Sequence, residues 1–202
     1  MVYKEFDQIR LDAFKEITSI ATGNAATSLS VLLGKKVDIT VPAIVVEQVT
    51  NIPALLGERE KKVFVLNFAV SGQFRGNIML IFSPSECLGL INMLTGQGQH
   101  DVESLSEMEL SAIKELGNIV TGSYIRVLAE GLGVKTSYSV PAFAYDMLGA
   151  VFDETLACLS SEAEEAVVME SEFIIENELY RGYLVFMLTP LAVKILIKAL
   201  AD

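Results

Sequence analysis

The chain has 202 residues, 51% of them hydrophobic and 20% charged, which is ordinary globular material with enough apolar content for a sizeable core. Its formal net charge of −11 and pI near 4.6 argue against nucleic acid or an anionic membrane surface as a partner.

Residues 8–33 read as one long helix, with Phe14, Ile17, Ala21 and Ala25 inward and Asp12, Glu16, Ser19 and Gly23 outward, ended by Gly34. Residues 36–49 alternate and are rich in valine and isoleucine, so they read as a strand interrupted or edged at Pro42. A short helical turn from Pro53 follows, then strands at 62–70 and 74–83 around a Ser71-Gly72 hairpin signal. Pro84 opens a helix through Met93, which ends near Gly96. The segment from Gly96 to His100 is short enough to be a loop.

The second half starts with the stretch around which the chain is organised, residues 106–133. Ser106 and Glu109 form a capping box, and Gly131 and Gly133 can leave the helix through positive φ. Ile113, Leu116, Val120, Tyr124 and Val127 make the apolar stripe; Ser111, Glu115, Asn118 and Gly122 lie opposite. A strand is expected near 134–140, then a helical stretch from Pro141, AFAYDMLGAVFDETLACL, more substantial than its counterpart in the first half. Strands at 165–177 and 179–188 form a second hairpin, and Pro190 opens the last helix. Residues 183–201 are the one candidate membrane span, but Pro190 and the lysines at 194 and 198 suit a strand and an amphipathic helix better. With no apolar signal core at the N-terminus, the expectation is a cytoplasmic protein without membrane insertion.

The chain repeats itself. Residues 13–23, AFKEITSIATG, align without a gap on 112–122, AIKELGNIVTG, at a constant offset (115 − 16 = 99). Val41-Pro42-Ala43 matches Val140-Pro141-Ala142 at the same offset, and Arg75-Gly76 matches Arg181-Gly182 at 106. The reading is a single domain over 1–202, built from two repeats at about 8–96 and 106–200, the second longer by seven residues (106 − 99). Those residues are expected at or just after the enlarged helix. The fold class is α/β, a duplicated helix–strands–helix unit with pseudo-twofold symmetry and a mixed or antiparallel sheet layered with helices.

The motif chemistry is sparse. Ser111 has no histidine to activate it, and the carboxylates lack metal-ligand spacing. The single histidine, His100, and the two cysteines, Cys87 and Cys158, read as neither a zinc site nor a disulfide framework. A carboxylate and an amide can still dock on another molecule's phosphorylated site, the amide orienting a water for attack on phosphorus. Gly23 and Gly122, inside helices, want a reason: close approach of another backbone or packing against a neighbouring helix.

The pattern Asp/Ser-x-x-x-Glu-x-x-Asn with a Gly-Asn-Ala turn resembles the CheC/CheX/FliY phosphatases of chemotaxis, nearest to CheC. It is carried by Ser111, Glu115 and Asn118, and by Asp12, Glu16 and Gly23-Asn24-Ala25-Ala26. The resemblance implies an enzyme that hydrolyses the aspartyl phosphate of the response regulator CheY. Asn118 would orient the water and Glu115 would contact the receiver's lysine; Mg²⁺ is expected on the phosphorylated receiver, and no metal or cofactor on this chain. Ser19 stands where the first repeat needs its asparagine, so Glu16 and Ser19 mark a degenerate second site. The segment around Asp146 resembles the CheC segment that binds the deamidase CheD, with Tyr145, Met147 and Leu148 around the acid. The alternative is a non-catalytic chemotaxis adaptor, or a flagellar-switch-like binding protein that retains the fold.

Overall fold

The structure is a computed structural model and describes residues 8–96, 104–159 and 164–199. The loop around His100 lies outside the described residues, as do the side chains of 8–13, Asp12 among them.

The first repeat runs α1 (Gln8–Leu33), β1 (Val37–Gln48), a 3-10 turn (Val49–Asn51), α2 (Ile52–Leu56), β2 (Lys62–Gly72), β3 (Gly76–Phe82) and α3 (Pro84–Thr95). The second runs α4 (Glu107–Leu132), β4 (Thr136–Tyr138), β5 (Ala142–Met147), α5 (Leu148–Cys158), β6 (Glu165–Ile175), β7 (Glu178–Leu188) and α6 (Pro190–Ala199). The helix boundaries have visible causes. The Ser106 amide and hydroxyl both donate to Glu109 Oε2, at 2.7 and 2.6 Å, and the Ser106 hydroxyl accepts from the Glu109 amide in return. Gly34 and Gly133, 99 positions apart, both sit at φ 61° and end their helices; Gly131 stays helical.

One seven-stranded sheet holds the two repeats together in the order β1-β6-β7-β3-β2-β4, with β5 also on β2. Every ladder is antiparallel, which decides between the two sheet types the sequence left open. The outer strands are exchanged: β1 of the first repeat pairs with β6 of the second, and β4 and β5 of the second pair with β2 of the first. At the centre β3 lies against β7, with Met79 opposite Val185. These two residues are equivalent by the repeat offset (185 − 79 = 106), so the pseudo-twofold axis passes between them.

Alternation along the strands sorts side chains to two cores, one on each face of the sheet. Phe64, Leu66, Phe68 and Val70 of β2 face α1, α3, α4 and α6, whereas Val63 and Val65 face α2 and α5. Among the described residues no helix is long and apolar enough to cross a membrane.

Three details differ from the sequence reading. Residues 142–147 are strand rather than helix, because Phe64, with Phe143 and Tyr145 packed on its ring, anchors β5 to the edge of β2. Helix begins only at Leu148, though at 11 residues α5 is indeed longer than the five-residue α2. The hairpin between β2 and β3 turns after Gly72 rather than at Ser71-Gly72, which pair with β4. The extra residues of the second repeat fall mainly in its hairpin. The equivalent glycines Gly76 and Gly182 pair with Val70 and Ser171, so the second loop is five residues longer (182 − 171 = 11 against 76 − 70 = 6). That extension turns through Glu176 and Asn177, both at positive φ, and braces the start of β1 through Val37↔Ile175 to Thr40↔Glu172.

Candidate functional site

α1 and α4 lie side by side on one face of the sheet, each with its apolar stripe down. Ile113, Leu116, Val120 and Tyr124 of α4 are buried, as are Phe14, Ala21 and Ala25 of α1. Gly117 sets how closely α4 sits: a Cβ there would come within 2.5 Å of Leu66 and 3.3 Å of Phe68. Between the helices, the Thr22 and Tyr124 hydroxyls are hydrogen-bonded at 2.8 Å. Burial pushes the Tyr124 phenol up to about 12, against the smaller opposing effect of the Thr22 bond.

The opposite stripe of α4 is turned outward, as the helical period requires. Glu115 is exposed and Asn118 half-buried, one turn apart, and neither has a hydrogen bond or ion pair with any described residue. On α1 the matching Glu16 and Ser19 are both exposed. Beside each motif lies an open groove between the helix and the first strand of the same repeat. The groove of the second repeat, about 600 Å³, takes in Asn118, Gly122 and Arg126 of α4 and Thr136 to Tyr138 of β4. That of the first repeat, about 480 Å³, takes in Ser19, Gly23, Ile39 and Thr40. Three positions recur at the offset of 99: Asn118 for Ser19, Gly122 for Gly23, and Tyr138 for Ile39.

Tyr138 gives Gly122 its reason. A Cβ at Gly122 would stand 2.5 Å from the Tyr138 hydroxyl, so the close neighbour is a tyrosine tip, not the backbone or helix expected. Gly23 has nothing within 4 Å of such a Cβ, in keeping with the shorter reach of Ile39. Tyr138 and Arg126 were missed in reading the sequence, yet both left a signal. Arg126 continues the stripe four residues beyond Gly122, and Tyr138 faces Ile39 in the repeat alignment.

The segment around Asp146 is remote in the chain from both motifs and sits at the end of β5. Asp146 is exposed, and its Oδ1 accepts from the Met147 amide at 2.7 Å. Met147 is 46% exposed and precedes α5. Tyr145 is half-buried, stacked on Phe64 at 4.6 Å between ring centres, with the Lys62 ammonium 5.1 Å from its own. Leu148 is fully buried in the second core, so it cannot share a surface with the other three. Among the described residues no group of three or more His, Cys, Asp or Glu is placed to hold a metal ion.

These features define a class: a duplicated α/β/α protein with two related motif helices on one face, each fronting its own groove. Known proteins resolve the class further. A model of the CheC-like family matches residues 9–46 and again 108–145, with both bounds displaced by 99 (108 − 9; 145 − 46). The CheY-P phosphatase CheC of Bacillus subtilis is 30% identical over 172 residues, covering 84% of this chain and 82% of that protein. The chain belongs to the CheC-like family. The flagellar motor switch phosphatase FliY of B. subtilis is 31% identical over 138 residues, 68% of this chain but 36% of its own length. The crystal structure of Thermotoga maritima FliY superposes with a TM-score of 0.76 at 26% identity, over 97% of this chain and 98% of that one.

Proposed function

We propose that the chain is a phosphatase for the aspartyl phosphate of the chemotaxis response regulator CheY, and that the second repeat carries the activity. The observation behind this reading is the pair Glu115 and Asn118, held one turn apart on the outer face of a rigid helix, without partners among the described residues. The B. subtilis CheC relative carries that activity in its name, which supports the substrate class.

In the proposed step the α4 face docks over the phosphorylated receiver. The Asn118 amide holds a water in line with the phosphorus; its oxygen bonds to phosphorus as the P–O bond to the aspartyl carboxylate breaks. Aspartate leaves as the carboxylate, and inorganic phosphate is released. Glu115 anchors the receiver by contacting its lysine. Mg²⁺ belongs to the receiver's site, where it neutralises charge on the phosphoryl oxygens. Removing a single well-placed polar group costs on the order of 10²-fold in such reactions. Decay of phosphorylated CheY with Mg²⁺ present should therefore be accelerated by the wild-type chain and about 10²-fold less by Asn118→Ala. A wild type that binds CheY but leaves its decay unchanged would replace the enzyme with an adaptor.

The same reading gives the β5 end a second partner, the deamidase CheD, with Asp146 as the acidic contact beside Tyr145 and Met147. Its support is local: an exposed acid next to a half-exposed methionine and an aromatic ring held rigid by stacking. Asp146→Lys should abolish co-elution with CheD and spare CheY-phosphate decay; unchanged co-elution removes CheD from this surface.

A further inference from the structure

We infer that the groove between α4 and β4 seats an acidic segment of the receiver that flanks its phosphorylated aspartate, with Arg126 as the charge anchor and the Tyr138 hydroxyl as a specificity contact. This rests on the function proposed above and adds a determinant of partner recognition to it.

The groove's chemistry differs from that of the chain around it. The protein carries 26 acidic residues against 15 lysines and arginines, yet among the described residues no carboxylate lines this groove and one arginine does. Arg126 is exposed and makes no ion pair with any described residue. Several of the hydroxyls around it are already committed: Thr136 donates to the Ser71 carbonyl at 2.9 Å, and Ser123 to that of Ile119 at 2.8 Å. The Tyr138 hydroxyl has no hydrogen bond with a described residue, and Gly122 leaves the space it occupies clear.

The position of the groove names its occupant. Asn118 stands at one end, and Arg126 lies eight residues on, about 12 Å along the helix axis. Three or four extended residues of a docked chain cover that span. A receiver site that binds Mg²⁺ beside a phosphoryl group needs carboxylates of its own, so the rim around the phosphorylated aspartate is anionic. Glu115 on one side of Asn118 and Arg126 on the other place opposite charges around the amide, with Glu130 one turn further on. An arrangement of this kind fixes the orientation of a partner more than it adds affinity. The first groove is charged differently: Thr27 replaces Arg126 at the repeat offset, its lining lysine, Lys15, lies one turn before Ser19 instead of two turns after it, and Ile39, Val41 and Ile44 form an apolar wall.

The test is titration of the full-length chain with CheY activated by beryllofluoride, a phosphoryl mimic, in parallel with decay of phosphorylated CheY. Arg126→Glu should weaken binding about tenfold at low salt, by replacing attraction with repulsion at an exposed site, and the gap should narrow as salt rises. Ala129→Glu, which sets a carboxylate into the same groove from α4 beside Arg126, should weaken it too; Arg126→Lys should keep most of the affinity. At chain concentrations well below saturation, decay should slow for Arg126→Glu by about the factor lost in binding. Wild-type affinity in both glutamate variants overturns the groove while leaving the phosphatase intact. Arg126-dependent binding with no accelerated decay keeps the groove and removes the enzyme. No binding and no acceleration by the wild type removes both.

Discussion

The two motif helices share six of the eleven residues aligned over 13–23 and 112–122, a terminating glycine and an inward stripe, yet the grooves beside them have diverged. In the second repeat Asn118, Gly122 and Tyr138 line one groove; in the first the same places hold Ser19, Gly23 and Ile39. The walls differ as well. β1 runs unbroken for 12 residues, absorbing Pro42 through a register shift between Thr40 and Ala43, and the long β6–β7 hairpin braces it. The equivalent chain beyond the second groove is split into β4 and β5, separated by residues 139–141. Duplication therefore preserved the scaffold, because each repeat supplies an edge strand to the other's hairpin, and left the groove surfaces free to change. A residue at the centre of the shared sheet is constrained from both sides; Ser19, exposed on the outer face of its helix, answers only to its own groove.

The largest test of this asymmetry is the pair Asn118→Ala and Ser19→Ala. The first should cost about 10²-fold in CheY-phosphate decay, and the second should leave the rate within about twofold, since a serine hydroxyl is too short to place a water where the amide does. Equal losses from the two substitutions would mean that both grooves work.

A second contrast lies in the seam between the helices. Thr22 shares a hydrogen bond with Tyr124, but its equivalent Thr121 (22 + 99) has no matching tyrosine, since Ala25 holds the place equivalent to Tyr124 (124 − 99). The Thr121 hydroxyl is buried with no hydrogen-bond partner among the described residues. A buried hydroxyl that has lost its partner gives up its hydration for nothing, whereas removing an orphan restores it. Thr22→Val should destabilise the fold by about 1–2 kcal/mol, leaving the buried Tyr124 phenol unpaired, while Thr121→Val should be neutral or stabilising by up to about 1 kcal/mol. Urea unfolding of the two variants checks the ordering, and equal midpoints would show that the seam is symmetric in energy despite its geometry.

What was legible in the sequence followed from short-range periodicity. The 3.6-residue period placed Glu115 and Asn118 outward and Tyr124 inward, and Ser106 with Glu109 fixed where α4 starts. The offset of 99 gave the duplication before any fold was known. What was not legible depends on contacts far along the chain. Residues 142–147 alternate weakly and run directly into a helix, and only pairing with β2 makes them a strand. The exchange of outer strands, and so the central position of Met79 against Val185, is a property of the sheet and not of any local segment. The second-repeat groove was missed for the same reason: one side of it comes from a strand beyond the end of the helix, and Tyr138 reads as an ordinary strand aromatic until it is found over Gly122.

The finest test restores what the first groove has lost. In an Asn118→Ala background the second site is silent, so any decay supplied by Ser19→Asn comes from α1 alone. Glu16 is still present and exposed, and the groove beside it is open, so a small recovery is expected, a few-fold above background. It should stay small because the amide alone does not rebuild the wall: Ile39 offers no hydroxyl, and no arginine lies two turns on. Adding Ile39→Tyr should raise the recovery further, since Gly23 leaves open space where Gly122 leaves room for Tyr138. Recovery to near the wild-type rate by Ser19→Asn alone would mean that the amide is the whole difference between the grooves, and that the tyrosine and arginine of the second repeat contribute nothing to the reaction.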